Sequence, residues 1–159
     1  LGIELPDINE TIEIGKGRII SQGKHVAILN FGGRLNECKK ASETLKKKGI
    51  TTSIFDARFA KPLDERLIIE LASNHDAIIS IEEGSIGGFG SHVSKLLSDR
   101  GFFDKGLKFR SMILPDKFLD QDTPENMYKN AGLDANSIVD RIESILNSNV
   151  VIAKNKNLS

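Results

Sequence analysis

The stretch Ile78-Ile-Ser-Ile-Glu-Glu-Gly-Ser-Ile-Gly-Gly-Phe-Gly-Ser91 predicts a buried strand, a pair of acids and a glycine-rich turn that opens a helix. An apolar run of this length that ends near glycine is typical of a central parallel strand. Glu82 and Glu83 then lie at the carboxyl end of that strand. Because open α/β sheets place ligands and partners at this end, the turn is a candidate functional site.

The segments on either side alternate between strand-like and helix-like patterns. Alternation of this kind predicts an α/β fold with three layers, α/β/α, built on a mostly parallel sheet that is covered on both faces. The helices have clear end signals, with Thr123 and Asp134 as N-caps and Gly49 as a C-terminal stop. The clearest predicted strands are His25 to Phe31, Thr51 to Phe55, Ile78 to Ile81 and Leu107 to Leu114.

The length of 159 residues fits one domain. Residues 1–12 are acidic and contain proline, which predicts a linker that arrives from a preceding domain. Residues 13–148 form the predicted domain, and residues 149–159 are predicted to be a flexible tail. Since the chain begins at Leu1 without a targeting pattern, we expect it to be a piece of a longer polypeptide.

Composition excludes several classes of protein. Basic and acidic residues balance at 22 each, which does not favour binding to nucleic acid or to a membrane surface. The single cysteine, Cys38, rules out an internal disulfide framework and a cysteine-rich zinc site. It falls on the apolar face of its predicted helix, which favours a role in the core. No apolar run approaches the length of a membrane span.

Several charged residues and glycines directly follow predicted strands, so a parallel sheet brings them to one edge. Such a mixed cluster could hold a polar ligand or a subunit partner through bidentate ion pairs. Alternatively, the charges only pair with one another and satisfy a crowded sheet edge. The residues in question are Gly32, Gly33, Arg34, Asp56, Arg58, Glu82 and Glu83.

The glycine turn itself also has two interpretations. It could cradle a phosphate at a helix N-terminus, but it matches neither G-x-G-x-x-G nor the P-loop ending. Tight packing of a helix on the sheet, or a subunit contact, fits its glycines better. The histidines lack metal-ligand spacing, and His92 is the one near the turn. The residues supply no complete catalytic set and no metal site.

Six strings, in order along the chain, resemble the C-terminal domain of 1-deoxy-D-xylulose-5-phosphate synthases, members of the transketolase family. The similarity runs from about Gly2 to about Leu146, and the third and fourth strings together are the most specific. The strings are Ile14-Gly-Lys-Gly-Arg, Val26-Ala-Ile-Leu-Asn-Phe-Gly, Asp56-Ala-Arg-Phe-Ala-Lys-Pro-Leu-Asp64, Ile81-Glu-Glu-Gly-Ser-Ile-Gly-Gly-Phe-Gly-Ser91, Leu114-Pro-Asp-Lys-Phe and Ala131-Gly-Leu-Asp-Ala.

This resemblance implies a five-stranded mixed sheet with one antiparallel edge strand near Arg18 to Ser21. It also implies a parent enzyme that condenses pyruvate with glyceraldehyde 3-phosphate, using thiamine diphosphate and magnesium. Such enzymes are homodimers, cytoplasmic in bacteria or located in plastids. Their catalytic and cofactor residues lie in two preceding domains, so the resemblance assigns none of them to this chain. The implied role here is packing against the upstream domains and support of the dimer.

Two other functions remain open from the residues. The chain could be a stand-alone module that binds a polar ligand at the edge formed by Gly32, Arg58 and Glu82. It could also be the equivalent domain of transketolase itself or of a 2-oxoacid dehydrogenase β subunit.

Overall fold

A computed structural model describes the backbone of residues 11–156 and the side chains of residues 11–147. The described chain forms five strands and five helices. The strands are β1 (Arg18–Ser21), β2 (Val26–Phe31), β3 (Thr52–Asp56), β4 (Ala77–Glu82) and β5 (Lys108–Met112). The helices are α1 (Leu35–Lys47), α2 (Glu65–Asn74), α3 (Phe89–Asp99), α4 (Pro124–Asn130) and α5 (Ala135–Lys156).

The strands form one sheet in the order β1-β3-β2-β4-β5. Strand β1 pairs antiparallel with β3, with Arg18 opposite Asp56, and the other three pairings are parallel. The predicted α/β class, the mixed five-stranded sheet and its antiparallel edge strand are therefore confirmed. Since the chain leaves β2 toward β3 on one side and β4 lies on the other, the topological switch point falls between the carboxyl ends of β2 and β4.

The sheet separates two apolar clusters, which makes the molecule three layers thick. The side chains of β2 alternate between the clusters, because successive residues of a strand point to opposite faces. Val26 and Ile28 pack on the face covered by α1 and α5, whereas Ala27 and Leu29 pack on the face covered by α2 and α3. Strand β4 is buried along its whole length, as its apolar run predicts.

The helix ends follow the predicted signals. The side chain of Asp134 accepts a hydrogen bond from the backbone N–H of Ser137, and Thr123 accepts one from Asn126. Gly49 has a φ of +80°, the left-handed conformation in which glycine ends a helix.

The predicted terminal segments are described only in part. Residues 1–10 of the predicted linker and residues 157–159 of the predicted tail lie outside the described residues. Helix α5 extends to Lys156, so the last helix ends later than the predicted domain boundary at residue 148. No described helix is long and apolar enough to cross a membrane.

We expect the Cys38 thiol to be almost inert in the folded protein. The side chain is fully buried, and this burial raises its pKa to about 12. At mildly alkaline pH its thiolate fraction is then on the order of a thousandfold below that of an exposed cysteine. Labelling with an aromatic disulfide reagent, with and without denaturant, measures this. A Ser98→Cys change in a Cys38→Ala background supplies an exposed thiol as the control; equal labelling rates for the two native proteins would contradict the prediction.

Candidate functional site

The candidate site is the carboxyl edge of the sheet, where the loops that follow β2, β3, β4 and β5 meet. At the switch point, Arg34 from the loop after β2 faces Glu83 from the loop after β4. Their atoms Nε and Oε1 lie 2.9 Å apart, an ion pair without an aligned Nε–H hydrogen bond. The Arg34 side chain is only 16% exposed. The chain's own charged pair therefore bridges the crevice in which a doubly wound sheet binds ligands.

Tyr128 of α4 contacts both members of this ion pair. The Arg34 Cζ atom lies 3.4 Å from the centre of the Tyr128 ring, a close cation–π contact. A hydrogen bond to the Glu83 carboxylate, followed by partial burial, raises the pKa of Tyr128. The Gly33 N–H also approaches Glu83 Oε2, at 3.4 Å. Arg34, Glu83 and Tyr128 thus join two loops and helix α4, which are far apart in the sequence.

We expect the Tyr128 pKa to report directly on Glu83. The chain contains one tyrosine and no tryptophan, so an ultraviolet titration of the phenolate follows Tyr128 alone. Its pKa should lie above the usual value of about 10 and fall toward it in a Glu83→Gln variant, which removes the carboxylate. Because the pKa is raised by folding, this contribution to stability is present below the unfolded pKa and is lost as pH rises through the folded pKa.

A Glu125→Gln variant is the matched control for this titration, since it removes the same charge from an exposed position on α4. It should leave the Tyr128 pKa near the wild-type value. An equal fall in both variants would show a general charge effect and would contradict the specific contact with Glu83.

Glu82, the other acid of the pair, points into the protein and is 4% exposed. Its Oε2 accepts a hydrogen bond from the N–H of Phe89 at 3.0 Å, and its Oε1 accepts one from Gly90 at 2.8 Å. These groups are among the unsatisfied donors at the start of α3, where a helix attracts an anion. A phosphate at this N-terminus would need the position that the Glu82 carboxylate occupies.

The glycines of the turn make room for this carboxylate. A Cβ atom on Gly88 would lie 2.3 Å from Glu82 Oε2, and one on Gly84 would lie 2.7 Å from the same atom. A Cβ atom on Gly90 would approach the hydroxyls of Ser80 and Ser111 within 2.5 Å. The glycine pattern therefore allows α3 to pack closely on β4 and β5, which is the packing interpretation of the sequence.

Asp56 and Arg58 lie on the far side of the edge, at the end of β3. Asp56 accepts a hydrogen bond from Arg18 Nε at 3.0 Å, which ties the antiparallel edge strand to β3. Arg58 has a φ of +57°, a left-handed conformation that is uncommon for a residue with a side chain. Backbone of this kind clusters at functional sites and at sharp turns, and here it leads into the Lys61–Pro62 loop.

His92 lies on the α2 side of α3 rather than beside the Arg34–Glu83 pair. It lines a shallow cleft of about 310 Å³ together with Lys61, Pro62 and Leu63. The structure thus brings Gly33, Arg34 and Glu83 into contact and places His92 in a separate cleft.

Sequence reasoning missed Tyr128 and Glu37, which take part in this edge. Glu37 of α1 accepts a hydrogen bond from the N–H of Ala135 at 3.0 Å and pairs with Lys40. With Arg34 and Tyr128, these residues line a mixed-charge cleft of about 540 Å³. No local pattern marks Tyr128 as a partner of Arg34, since α4 reaches the edge only after the chain has passed through β5.

The described residues do not fit a diphosphate–metal site. Among residues 11–147, no group of three or more histidine, cysteine or acidic side chains could hold a metal ion. The N-terminus of α3, at this edge, is satisfied by Glu82. Within this part of the chain, the acids at the edge are engaged by the chain's own groups: Glu82 by α3 and Glu83 by Arg34.

Comparison with known protein families assigns the chain to a family. Residues 15–138 match the family model of the transketolase C-terminal domain. The chain belongs to this family. The match covers all five strands of the sheet and the loops that form its carboxyl edge, and it ends within α5.

Solved structures agree with this assignment. A split-gene transketolase, solved as an inactive beta4 tetramer, is similar over 89% of this chain at 27% identity, with a TM-score of 0.78. The aligned part is 45% of that protein, so this chain spans about half the length of that relative. A transketolase from Campylobacter jejuni aligns over 82% of the chain at 15% identity with a TM-score of 0.55, and covers 18% of that enzyme.

The same fold occurs outside the transketolases. A 2-oxoglutarate:ferredoxin oxidoreductase from Magnetococcus marinus aligns over 81% of this chain, and over 19% of its own length, at 12% identity and a TM-score of 0.52. At this level of identity the likeness concerns the fold alone.

Proposed function

We propose that this chain is the C-terminal structural domain of a transketolase-type enzyme that uses thiamine diphosphate, and specifically of a 1-deoxy-D-xylulose-5-phosphate synthase. One observation carries the structural role: Arg34 and Glu83 pair with each other across the crevice at the switch point, and Glu82 caps the α3 N-terminus. A domain whose ligand positions are occupied by its own side chains is suited to packing rather than to chemistry.

The specific parent is supported by sequence strings on the loops that follow β3 and β4. Asp56 to Asp64 and Ile81 to Ser91 resemble the synthase, and both strings lie at the carboxyl edge. Packing explains the residue types in the second string, since Gly84 and Gly88 lie against the Glu82 carboxylate. Membership of the family and the 27% identity to a split-gene transketolase support the broader class of parent.

In this proposal the preceding domains supply the cofactor site. Thiamine diphosphate provides the carbanion chemistry, and magnesium anchors its diphosphate there. The C-terminal domain contributes packing and supports a homodimer, cytoplasmic in a bacterium or within a plastid. This chain alone is then inactive and binds neither thiamine diphosphate nor magnesium.

The first test uses the natural polypeptide that contains this chain, purified with thiamine diphosphate and magnesium. We expect it to consume pyruvate and glyceraldehyde 3-phosphate with release of carbon dioxide and formation of 1-deoxyxylulose 5-phosphate. Use of xylulose 5-phosphate as the donor would instead identify a transketolase, and oxidative decarboxylation of a 2-oxoacid would identify a dehydrogenase component.

The second test concerns the chain by itself. Isothermal titration calorimetry with thiamine diphosphate and magnesium should show no binding heat, and measurable binding would contradict a purely structural domain. A thermal-shift assay distinguishes this structural domain from a stand-alone module that binds a polar ligand. A ligand-dependent rise in melting temperature that is lost on Arg58→Ala would support the module and not the synthase.

A further inference from the structure

The amino ends of the parallel strands form a hydrogen-bonded network at the end of the sheet opposite the candidate site. His25, Thr51 and Asp76 directly precede β2, β3 and β4. Two of the three histidines of the chain belong to this network: His25, and His75 at the end of α2. The role of each ring nitrogen as donor or acceptor depends on the proton it carries, so this end of the sheet can respond to pH.

The ring of His25 accepts a hydrogen bond from the backbone. The N–H of Thr51 donates to Nδ1 of His25 at 3.0 Å, and the Thr51 hydroxyl oxygen lies 3.1 Å from the same nitrogen. Since a backbone N–H can only donate, Nδ1 must present a lone pair, and the proton of the neutral ring must be on Nε2. The contact therefore fixes the tautomer of His25.

Protonation of His25 removes this acceptor. An imidazolium has an N–H on both nitrogens, so Nδ1 would place a second donor against the N–H of Thr51. The Thr51 hydroxyl could accept the new N–H, but the Thr51 backbone N–H would still lose its partner. A partly buried donor without an acceptor costs free energy, so the observed geometry requires the neutral ring.

His75 is free of this restriction, although its ring contacts the same strand. Its Nδ1 lies 2.8 Å from the carbonyl oxygen of Leu71, which can only accept, so Nδ1 carries a proton in both charge states. Its Nε2 lies 2.9 Å from the hydroxyl of Ser53, which can donate or accept. When the ring is charged, this hydroxyl turns its own proton to the carbonyl oxygen of Gly23, 3.2 Å away. Both hydrogen bonds of His75 therefore survive protonation.

The His25 contact lies where the loop between β1 and β2 is attached to β3. The N–H of Lys24 donates to the Thr51 hydroxyl at 3.0 Å, and the N–H of Gly23 donates to the Ser53 hydroxyl at 3.0 Å. The loop packs tightly here, since a Cβ atom on Gly23 would lie 2.4 Å from the backbone of β3. Strand β1 pairs with β3 and lies at the edge of the described sheet, so a looser loop also loosens this edge strand.

The charged and titratable groups near His25 come from each element that meets this end of the sheet. They are Lys24 of the loop, Lys48 at the end of α1, His75 and Asp76 between α2 and β4, Lys105 before β5 and Lys108 at its start. Lys48 is paired with Glu143 of α5. Within residues 11–147 no ion pair includes His25, so no carboxylate compensates an imidazolium at this position.

We propose that His25 is an acid-sensitive latch, which holds the loop between β1 and β2 against β3 only while its ring is neutral. This inference does not depend on the proposed function. The open loop takes up a proton on His25 and the closed loop does not, so the open form is favoured as the pH falls. Because an exposed histidine titrates near pH 6.5, opening should increase about tenfold between about pH 7.5 and about pH 5.5.

Amide hydrogen exchange, measured by NMR on the wild-type protein, tests the latch. The protection factor of the Thr51 N–H, corrected for the intrinsic exchange rate at each pH, should fall about tenfold over this pH range. The N–H of Ala57, bonded to the carbonyl oxygen of Asn30 at the other end of β3, is the internal control and should change by less than about twofold. A constant factor at Thr51, or an equal fall at Ala57, would overturn a local latch.

His25→Asn is the matched variant, because its side-chain oxygen can accept the same hydrogen bond but takes up no proton in this range. The Thr51 N–H should stay protected in this variant, with a protection factor that no longer depends on pH. His75→Asn is the control and should retain the wild-type fall. A full fall in His25→Asn, or its loss in His75→Asn, would overturn the role of His25.

The chemical shifts of the imidazole nitrogens provide a test that needs no variant. At mildly alkaline pH the proton of His25 should be on Nε2 and that of His75 on Nδ1, as their partners require. A His25 ring with its proton on Nδ1 could not accept from Thr51 and would overturn the proposal.

Discussion

Replacing Glu82 by alanine is expected to lower the free energy of unfolding by about 4 kcal/mol. The substitution leaves the N–H groups of Phe89 and Gly90 buried without an acceptor, and each such group costs about 1–3 kcal/mol. It also removes a negative charge from the positive end of the α3 dipole. Since small domains are stable by only about 5–15 kcal/mol, this is a large share of the total.

Urea-induced unfolding, followed by circular dichroism of the helices, measures this loss. Glu82→Gln should cost about half as much, because the amide keeps one acceptor oxygen but presents donors to the second N–H. Glu70→Ala on the exposed face of α2 is the control and should change stability by no more than about 0.5 kcal/mol. A Glu82→Ala protein as stable as this control would show that the buried carboxylate does not hold the start of α3.

Replacing Gly88 by alanine is expected to cost about 3 kcal/mol, mainly by displacing Glu82. The backbone at Gly88 has a φ of −79°, which alanine adopts without strain, so the effect is steric. The new methyl group would lie 2.3 Å from Glu82 Oε2 and 2.8 Å from its Cδ. The carboxylate must move away and give up its two hydrogen bonds to α3.

A double-mutant cycle tests this cause directly. In a Glu82→Ala background the methyl group meets no carboxylate, so Gly88→Ala should cost less than about 0.5 kcal/mol there. The coupling free energy between the two positions is then nearly the full cost of the glycine substitution. If Gly88→Ala cost the same free energy of unfolding in both backgrounds, the glycine would be needed for the backbone conformation and not to make room for the carboxylate.

Both substitutions lie in the string Ile81 to Ser91, one of those that resemble the family. Glu82 and Gly88 are six positions apart in the glycine turn, which the sequence also offered as a possible phosphate cradle. In the structure, the Glu82 carboxylate is the anion at the N-terminus of α3, and Gly88 leaves the space that this carboxylate needs. The position that a bound phosphate would need at this turn is therefore taken by the chain's own Glu82 carboxylate.

The fold was predictable from sequence because it depends on patterns that act over short distances. The apolar run of β4, the helical period of α1 and the caps at Thr123 and Asp134 each arise from neighbouring residues. Helix α5 continues to Lys156 through a polar sequence, which is compatible with a helix as well as with a tail.

The sequence by itself determined the α/β class and the carboxyl-edge position of Arg34, Glu82 and Glu83. Only the tertiary structure decided the partners of these charges: Glu82 turns inward to α3, whereas Glu83 meets Arg34 and Tyr128. It also decided that the N–H of Thr51 donates a hydrogen bond to the His25 ring. The physical reason is that strand order and loop packing bring together residues that are distant in the chain, and no local pattern carries that information.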